Sequence, residues 1–200
     1  MPAEHAHELN ALEAEIRACR ICEPHLPLGP RPVLIARPEA RLLIAAQAPG
    51  RRVHETGLPF NDPSGERLRD WLGIDRETFY HHPAIAIVPM GFCFPGTGKG
   101  GDLPPRPECA ATWRRPLLEA MPRIETTIVI GRYALGWHLG LGGGQRVTDI
   151  VGAWRDFAPG HFPLPHPSPR NNRWLANNPW FERDVVPALR ERVRECLRQV

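Results

Sequence analysis

Three short apolar runs stand out from an otherwise mixed sequence, at 41–46, 84–88 and 126–130. Each is bounded by turn-forming residues and is too short for a core helix. Each therefore predicts a strand covered on both faces, as in a parallel sheet. Between them the period lengthens. Leu9, Leu12, Ile16 and Cys19 recur at helical spacing and predict an amphipathic helix over 4–20. Ser64 reads as the N-cap of a helix that buries Leu68, Trp71 and Leu72. Further helices are expected over 109–121, over 133–139 and from about 179 to the C-terminus, with Gly142, Gly143 and Gly144 breaking the second of these. The stretch 22–38 is proline-rich and extended, 89–107 is a long Gly/Pro loop, and Phe162-Pro163-Leu164-Pro165 leads into a loop at 166–171.

Strands alternating with helices predict an α/β layered domain with a mainly parallel sheet. No linker or internal repeat divides residues 1–200, so one domain is expected. Ligands of such sheets bind beyond the carboxyl ends of the strands. The loops 47–63 and 166–171 both fall at that edge.

Composition sharpens this only in places. The 24 prolines cluster in the connections and predict stiff, ordered loops. A net charge of +3 is too small to establish a nucleic-acid partner by itself. No apolar run approaches the roughly 20 residues that span a bilayer. The opening Met1-Pro2-Ala3-Glu4-His5 lacks the features of a signal peptide, so a cytoplasmic protein without a membrane partner is expected. The segment 96–101 fails as a phosphate-binding P-loop, because Gly100 rather than Ser or Thr follows Lys99.

Five cysteines in such a protein point to metal or isolated thiols rather than disulfides. Cys19 and Cys22 form a Cys-x2-Cys pair at the end of a helix, and Cys93 and Cys109 enclose fifteen residues of polar, glycine-rich loop. The four make a thiolate set that suits a [4Fe–4S] cluster or a structural zinc. Cys196 sits among charged residues of the last helix and reads as a bystander.

At this point the chain resembles the family 4 uracil-DNA glycosylases, the iron–sulfur branch of the uracil-DNA glycosylase superfamily. The order and spacing of Cys19, Cys22, Cys93 and Cys109 match. So does a first motif, Ala46-Gln47-Ala48-Pro49-Gly50 followed by Gly57-Leu58-Pro59-Phe60, and a second, His166-Pro167-Ser168-Pro169-Arg170-Asn171. The likeness covers about residues 10–190. It implies a three-layer α/β/α sandwich, a [4Fe–4S] cluster on the four cysteines, and a monomer that takes a flipped, deaminated base from DNA. Three departures stand out. The family's motif-one glutamate is Gln47 here. Its acidic residue a few positions after motif one is replaced in the region Val53-His54-Glu55, where the nearest carboxylate is Glu55. The asparagine that ends its second strand is absent near Val88-Pro89.

The chemistry assigns roles. Extruding a base costs a few kcal/mol, and the base must then be held between an aromatic face and polar edges. Phe60 is the expected platform, with Ala48, Pro49 and Asn61 beside the base. His166 is the expected donor to the leaving base. Gln47 cannot take a proton near neutral pH, so it orients water or bonds the base. His54 and Glu55 are the nearby titratable candidates for holding water. Arg51, Arg52, Ser168, Arg170 and Asn171 are expected at the DNA backbone or in the gap left by the base. Three functions fit: a monofunctional DNA glycosylase, a non-catalytic iron–sulfur protein that binds damaged DNA, and an iron–sulfur redox protein. The last has no use for the two loop motifs.

Overall fold

Helix α1 (Pro2–Ala18) leads through an extended stretch to strand β1 (Leu42–Ala45). Three short helices follow, α2 (Arg51–Thr56), α3 (Pro63–Leu72) and α4 (Arg76–His81), and then strand β2 (Ile85–Ile87). The glycine-rich loop after β2 folds into a small hairpin, β3 (Thr97–Gly98) and β4 (Gly101–Asp102). Helices α5 (Pro107–Cys109) and α6 (Arg115–Glu119) are joined by a π-helical turn, Ala110–Arg114. Strand β5 (Thr126–Ile130), helices α7 (Gly131–Leu139) and α8 (Val147–Gly152), strand β6 (His161–Leu164) and helices α9 (Asn172–Asn177) and α10 (Val186–Arg198) follow. This computed structural model describes residues 2–141 and 144–198. Gly142 and Gly143 of the expected glycine break therefore lie outside the described residues, and Gly140, in the left-handed region, caps α7 before them.

The central sheet has the order β2-β1-β5-β6, and every pairing in it is parallel. Alternate residues of the strands face opposite layers. Leu42, Ile44, Ile85, Ile87, Ile128 and Ile130 pack with Leu68, Trp71, Phe79, Leu189 and Val193 of α3, α4 and α10. On the other face, Leu43, Ala86 and Val88 meet Leu9 and Ile16 of α1 and Leu117 of α6. Ala45 and Val129 meet Ala134, Leu135 and Ile150 of α7 and α8. The result is the expected three-layer sandwich. Each Leu or Ile so enclosed contributes about 1.5–3 kcal/mol relative to exposure.

The structure corrects three local readings. Phe162-Pro163-Leu164 is not a connection but β6, the edge strand beside β5. Proline is tolerated in an edge strand, because one side of the strand needs no ladder bonds. The N-cap of α3 is Asp62, not Ser64. Its carboxylate accepts the Gly65 N–H at 2.9 Å, and Pro63 takes the first helical position that suits proline. The loop 47–63 contains α2, a helix too short to show a period.

One buried cation ties the layers to the end of β2. Arg114 is 1% exposed. Its Nη1 donates to the carbonyls of Val88 (2.8 Å) and Pro89 (2.9 Å), and its Nη2 donates to Nε2 of His138 (2.6 Å). Burial pushes Arg114 down to about 9. Burial, then the Arg114 cation and His161, push His138 down to about 2. The folded protein thus holds His138 neutral, while the unfolded chain protonates it near pH 6.5. Stability from this contact is complete above that pH and falls as the pH drops below it, by up to about 1.4 kcal/mol per pH unit for one histidine. Urea unfolding between pH 7.5 and 5 should show the decline, and His138→Gln should flatten it. Parallel curves for the two proteins would place the acid sensitivity elsewhere.

Candidate active site

Five segments meet at the carboxyl edge of the sheet around a cavity of about 470 Å³. The loop after β1 supplies Ala46 to Gly50, the end of β2 supplies Pro89, and the hairpin supplies Gly100 to Asp102. The loop after β6 supplies His166, Ser168, Arg170 and Asn171, and the turn before α3 supplies Pro59, Phe60 and Asp62.

Phe60 is held in an uncommon backbone state. Its φ is 55°, in the left-handed region, where a bulky side chain is rare. Strain of this kind persists only where neighbours fix it. Tyr80 Oη donates to the Pro59 carbonyl at 2.8 Å, and the Phe79 ring meets Phe60 edge-on at 6.1 Å. Gly65 lies directly against the turn: a Cβ there would sit 1.8 Å from the Phe60 carbonyl oxygen. Asn61 turns away from the cavity lining, its Oδ1 accepting from Arg76 at 3.0 Å.

His166 is half-buried and oriented by its own loop. Its Nδ1 accepts the Ser168 N–H at 3.2 Å, so in the neutral ring the proton sits on Nε2. Burial lowers its pKa, partly offset by the carboxylates of Asp62 and Asp102. Asn171 Nδ2 donates to the His166 carbonyl at 2.7 Å, and Arg67 Nη1 to the Ser168 carbonyl at 3.1 Å. Arg170 reaches across the cavity mouth and donates from Nη1 to the Gly100 carbonyl at 2.8 Å.

Gln47 packs its carboxamide against Gly131, which at φ +78° has no Cβ in the way. That carboxamide makes no side-chain hydrogen bond among the described residues. Ala48 and Pro49 line the same wall. Other sequence-derived candidates lie outside the lining. His54 is buried beside Phe94, with ring centroids 6.2 Å apart, and its Nδ1 has no partner among the described residues. Its pKa is lowered by burial and then by Arg31, against a smaller opposing effect of Glu55. Glu55 is exposed, 3.8 Å from Arg51, and Arg51 and Arg52 are exposed on α2. Sequence reasoning passed over Asp62, Arg67, Asp102 and Gly131. Asp62 had a sequence signal, since Asp-Pro before a helix is a cap signature. The others had none.

A second, smaller cavity is lined by all four cysteines of the spaced set, with Ile16, Leu26 and Phe92. The Phe92 N–H donates to Cys109 Sγ at 3.4 Å, and Cys22 Sγ donates to Glu108 at 3.9 Å. Burial pushes Cys93 up to about 11 and Cys109 up to about 12, so an occupant would have to displace protons from both. Among the described residues no three His, Cys, Asp or Glu are grouped to hold a single ion. Cys196 lies apart, on the buried face of α10, donating to Thr126 Oγ1 at 3.7 Å.

A parallel sheet with a cavity at its carboxyl edge, lined by Phe60, Gln47 and His166, defines an α/β protein with a candidate site where such folds bind ligands. The model of the uracil DNA glycosylase superfamily matches residues 34–190, well over half the chain, and the chain belongs to that superfamily. The superfamily acts on DNA, and its members are generally glycosylases. Cys93 and Cys109 lie inside the matched stretch, and Cys19 and Cys22 precede it. No helix among the described residues is long and apolar enough to cross a membrane.

The turn that carries Phe60 makes a direct prediction. Gly65→Ala forces a methyl group into the Phe60 carbonyl and should destabilise the protein by roughly 1–3 kcal/mol, the usual cost of overpacking. Denaturant unfolding reads the change. A midpoint equal to that of the wild type would mean the turn opens freely and does not hold Phe60.

Proposed function

We propose that this protein is a monofunctional DNA glycosylase that hydrolyses the N-glycosidic bond of uracil or another deaminated base. The observation that carries this reading is His166, held by the Ser168 N–H as an Nε2–H donor in the cavity that Phe60 lines. When the C1′–N bond breaks, the base gains negative charge. A fixed donor aimed at that charge stabilises the transition state more than the ground state. Phe60 would stack on the flipped base, and the Gln47 carboxamide, carrying one donor and one acceptor, would read the base edge in place of an asparagine at the end of β2. Pro89 cannot do so, because it has no N–H and its carbonyl is engaged by Arg114. Ser168 and Arg170 would meet the DNA backbone at the mouth.

A panel of oligonucleotides, each carrying one deaminated base, tests the reading through abasic-site formation. Excision of at least one base is expected. His166→Ala should slow it by about 100- to 1000-fold with DNA affinity nearly unchanged. Binding of damaged DNA with no excision from any member would instead favour a non-catalytic damage-binding protein. The absence of an amide at the end of β2 is the feature that favours that second reading.

For the cysteine cavity we propose a [4Fe–4S] cluster, as in the iron–sulfur branch. Four thiols with no histidine suit such a cluster. A structural zinc on the same four thiolates is the alternative. Cys19, Cys22, Cys93 and Cys109 would hold the cluster, which would cross-link the end of α1 to the loop after β2. Anaerobically purified protein should be brown, with about four irons per chain. Cys109→Ser should bleach it and expose the 89–107 loop to protease. Colourless protein with one zinc would reject the cluster and keep the site.

A further inference from the structure

Attack on C1′ is helped by a base that takes water's proton, and the motif-one loop places no ionisable group in the cavity. The motif-one loop contributes Gln47, Ala48, Pro49 and Gly50 to the lining, none of them ionisable. His54 and Glu55 lie outside it. The lining carries two carboxylates, Asp62 and Asp102. Asp62 caps α3 with Oδ1, which accepts the Gly65 N–H at 2.9 Å, so it has a helix-capping task as well.

Asp102 is different. It stands at the end of the hairpin, about fifty residues along the chain from motif one, yet its Oδ2 lies against Gly50. A Cβ on Gly50 would be 3.1 Å from that oxygen. Its one hydrogen-bond partner among the described residues is the Thr97 hydroxyl, at 3.3 Å from Oδ1. Asp102 is exposed at the cavity wall, and its Oδ2 has no hydrogen-bond partner among the described residues. The hairpin is also fastened to the histidine loop, because Arg170 donates to the Gly100 carbonyl at 2.8 Å. Gly101, at φ +124°, leaves room for that contact: a Cβ there would be 2.0 Å from Arg170 Nη1. The tie joins the hairpin that carries Asp102 to the loop that carries His166, and both residues line the same cavity.

We propose that Asp102 is the catalytic residue that holds and deprotonates the attacking water, an inference that rests on the glycosylase reading above. Water's oxygen forms the bond to C1′ as the C1′–N bond breaks. The bonding pair leaves with the base, where the His166 Nε2–H holds the charge, and the proton released from water passes to Oδ2 of Asp102. The carboxylate also faces the cation-like sugar of the transition state. The hairpin thereby supplies the acid that motif one lacks at Gln47.

Single-turnover kinetics on a base that the wild type excises test this. Asp102→Asn keeps the acceptor for Thr97 and loses the charge. It should slow the chemical step by about 100-fold or more, the usual range for a general base, with DNA affinity unchanged or higher. Added formate should restore part of the rate of Asp102→Ala, which a purely structural role would not allow. Gly50→Ala crowds Oδ2 and should slow the wild type while adding little to Asp102→Asn, as coupled sites do. Thr97→Val, which removes only the hairpin bond, should stay close to wild type. If Asp102→Asn keeps nearly the full rate, or Thr97→Val loses as much as Asp102→Asn does, the inference fails and the glycosylase reading stands. If the wild type releases no base, the glycosylase reading fails and this inference with it.

Discussion

A parallel strand buried on both faces has nowhere to place a polar side chain except at its ends. β1 and β5 meet that condition, since Leu42, Leu43, Ile44 and Ala45 are all fully enclosed, as are Ile128, Val129 and Ile130. Helices must therefore cover both sides of the sheet, and each crossover must leave and re-enter at its edges. The loops at the carboxyl edge are then brought together whatever their sequence separation. The base-sized cavity is a consequence of that packing. Residues from 46, 60, 102 and 166 converge there because the strands beneath them share one sheet.

Loops rich in proline and glycine expose backbone carbonyls that the sheet cannot satisfy, and buried carbonyls need partners. This chain satisfies many of them with arginine. All but one of its 25 basic residues are arginine, Lys99 being the exception. Arg37 donates to the carbonyls of Tyr80 and Ile85, Arg114 to those of Val88 and Pro89, Arg67 to Ser168 and Arg170 to Gly100. A planar guanidinium can donate to two acceptors at once, which a lysine ammonium cannot do with the same fixed geometry. Part of the positive charge is therefore spent on holding loops. That limits what net charge alone says about DNA. Arg170 is one of these loop-holding arginines, fastened to the Gly100 carbonyl.

The two cavities share a wall of chain. The segment from Pro89 to Cys109 begins at the base site, passes the cysteine cavity at Phe92 and Cys93, returns to the base site at Gly100 to Asp102, and ends at Cys109. Cys93 and Cys109, which line the cysteine cavity, flank the excursion that carries Asp102. Arg114 holds the start of the loop at Pro89, and Arg170 holds its tip at Gly100.

Much of this was legible in the sequence. Buried strands betray themselves as unbroken apolar runs, so β1, β2 and β5 and the layered architecture followed from local pattern. The two loop motifs and the four cysteines were visible because their chemistry is carried by residue type and spacing. β6 was hidden, because two prolines in a short run look like a connection until an edge position excuses them. Phe60, His166 and Gln47 could be named from sequence, but not the left-handed turn of Phe60, the tautomer of His166 or the glycine that makes room for Gln47. His54 and Glu55 are close to motif one along the chain, yet α2 turns them out of the cavity lining. Asp102 is distant along the chain, yet the hairpin folds it back onto Gly50. Local sequence sets which way a strand or helix buries its side chains, because that depends on a period of two or 3.6 residues. Which side chains meet across loops depends on how the strands are ordered in the sheet, and no short window of sequence contains that order.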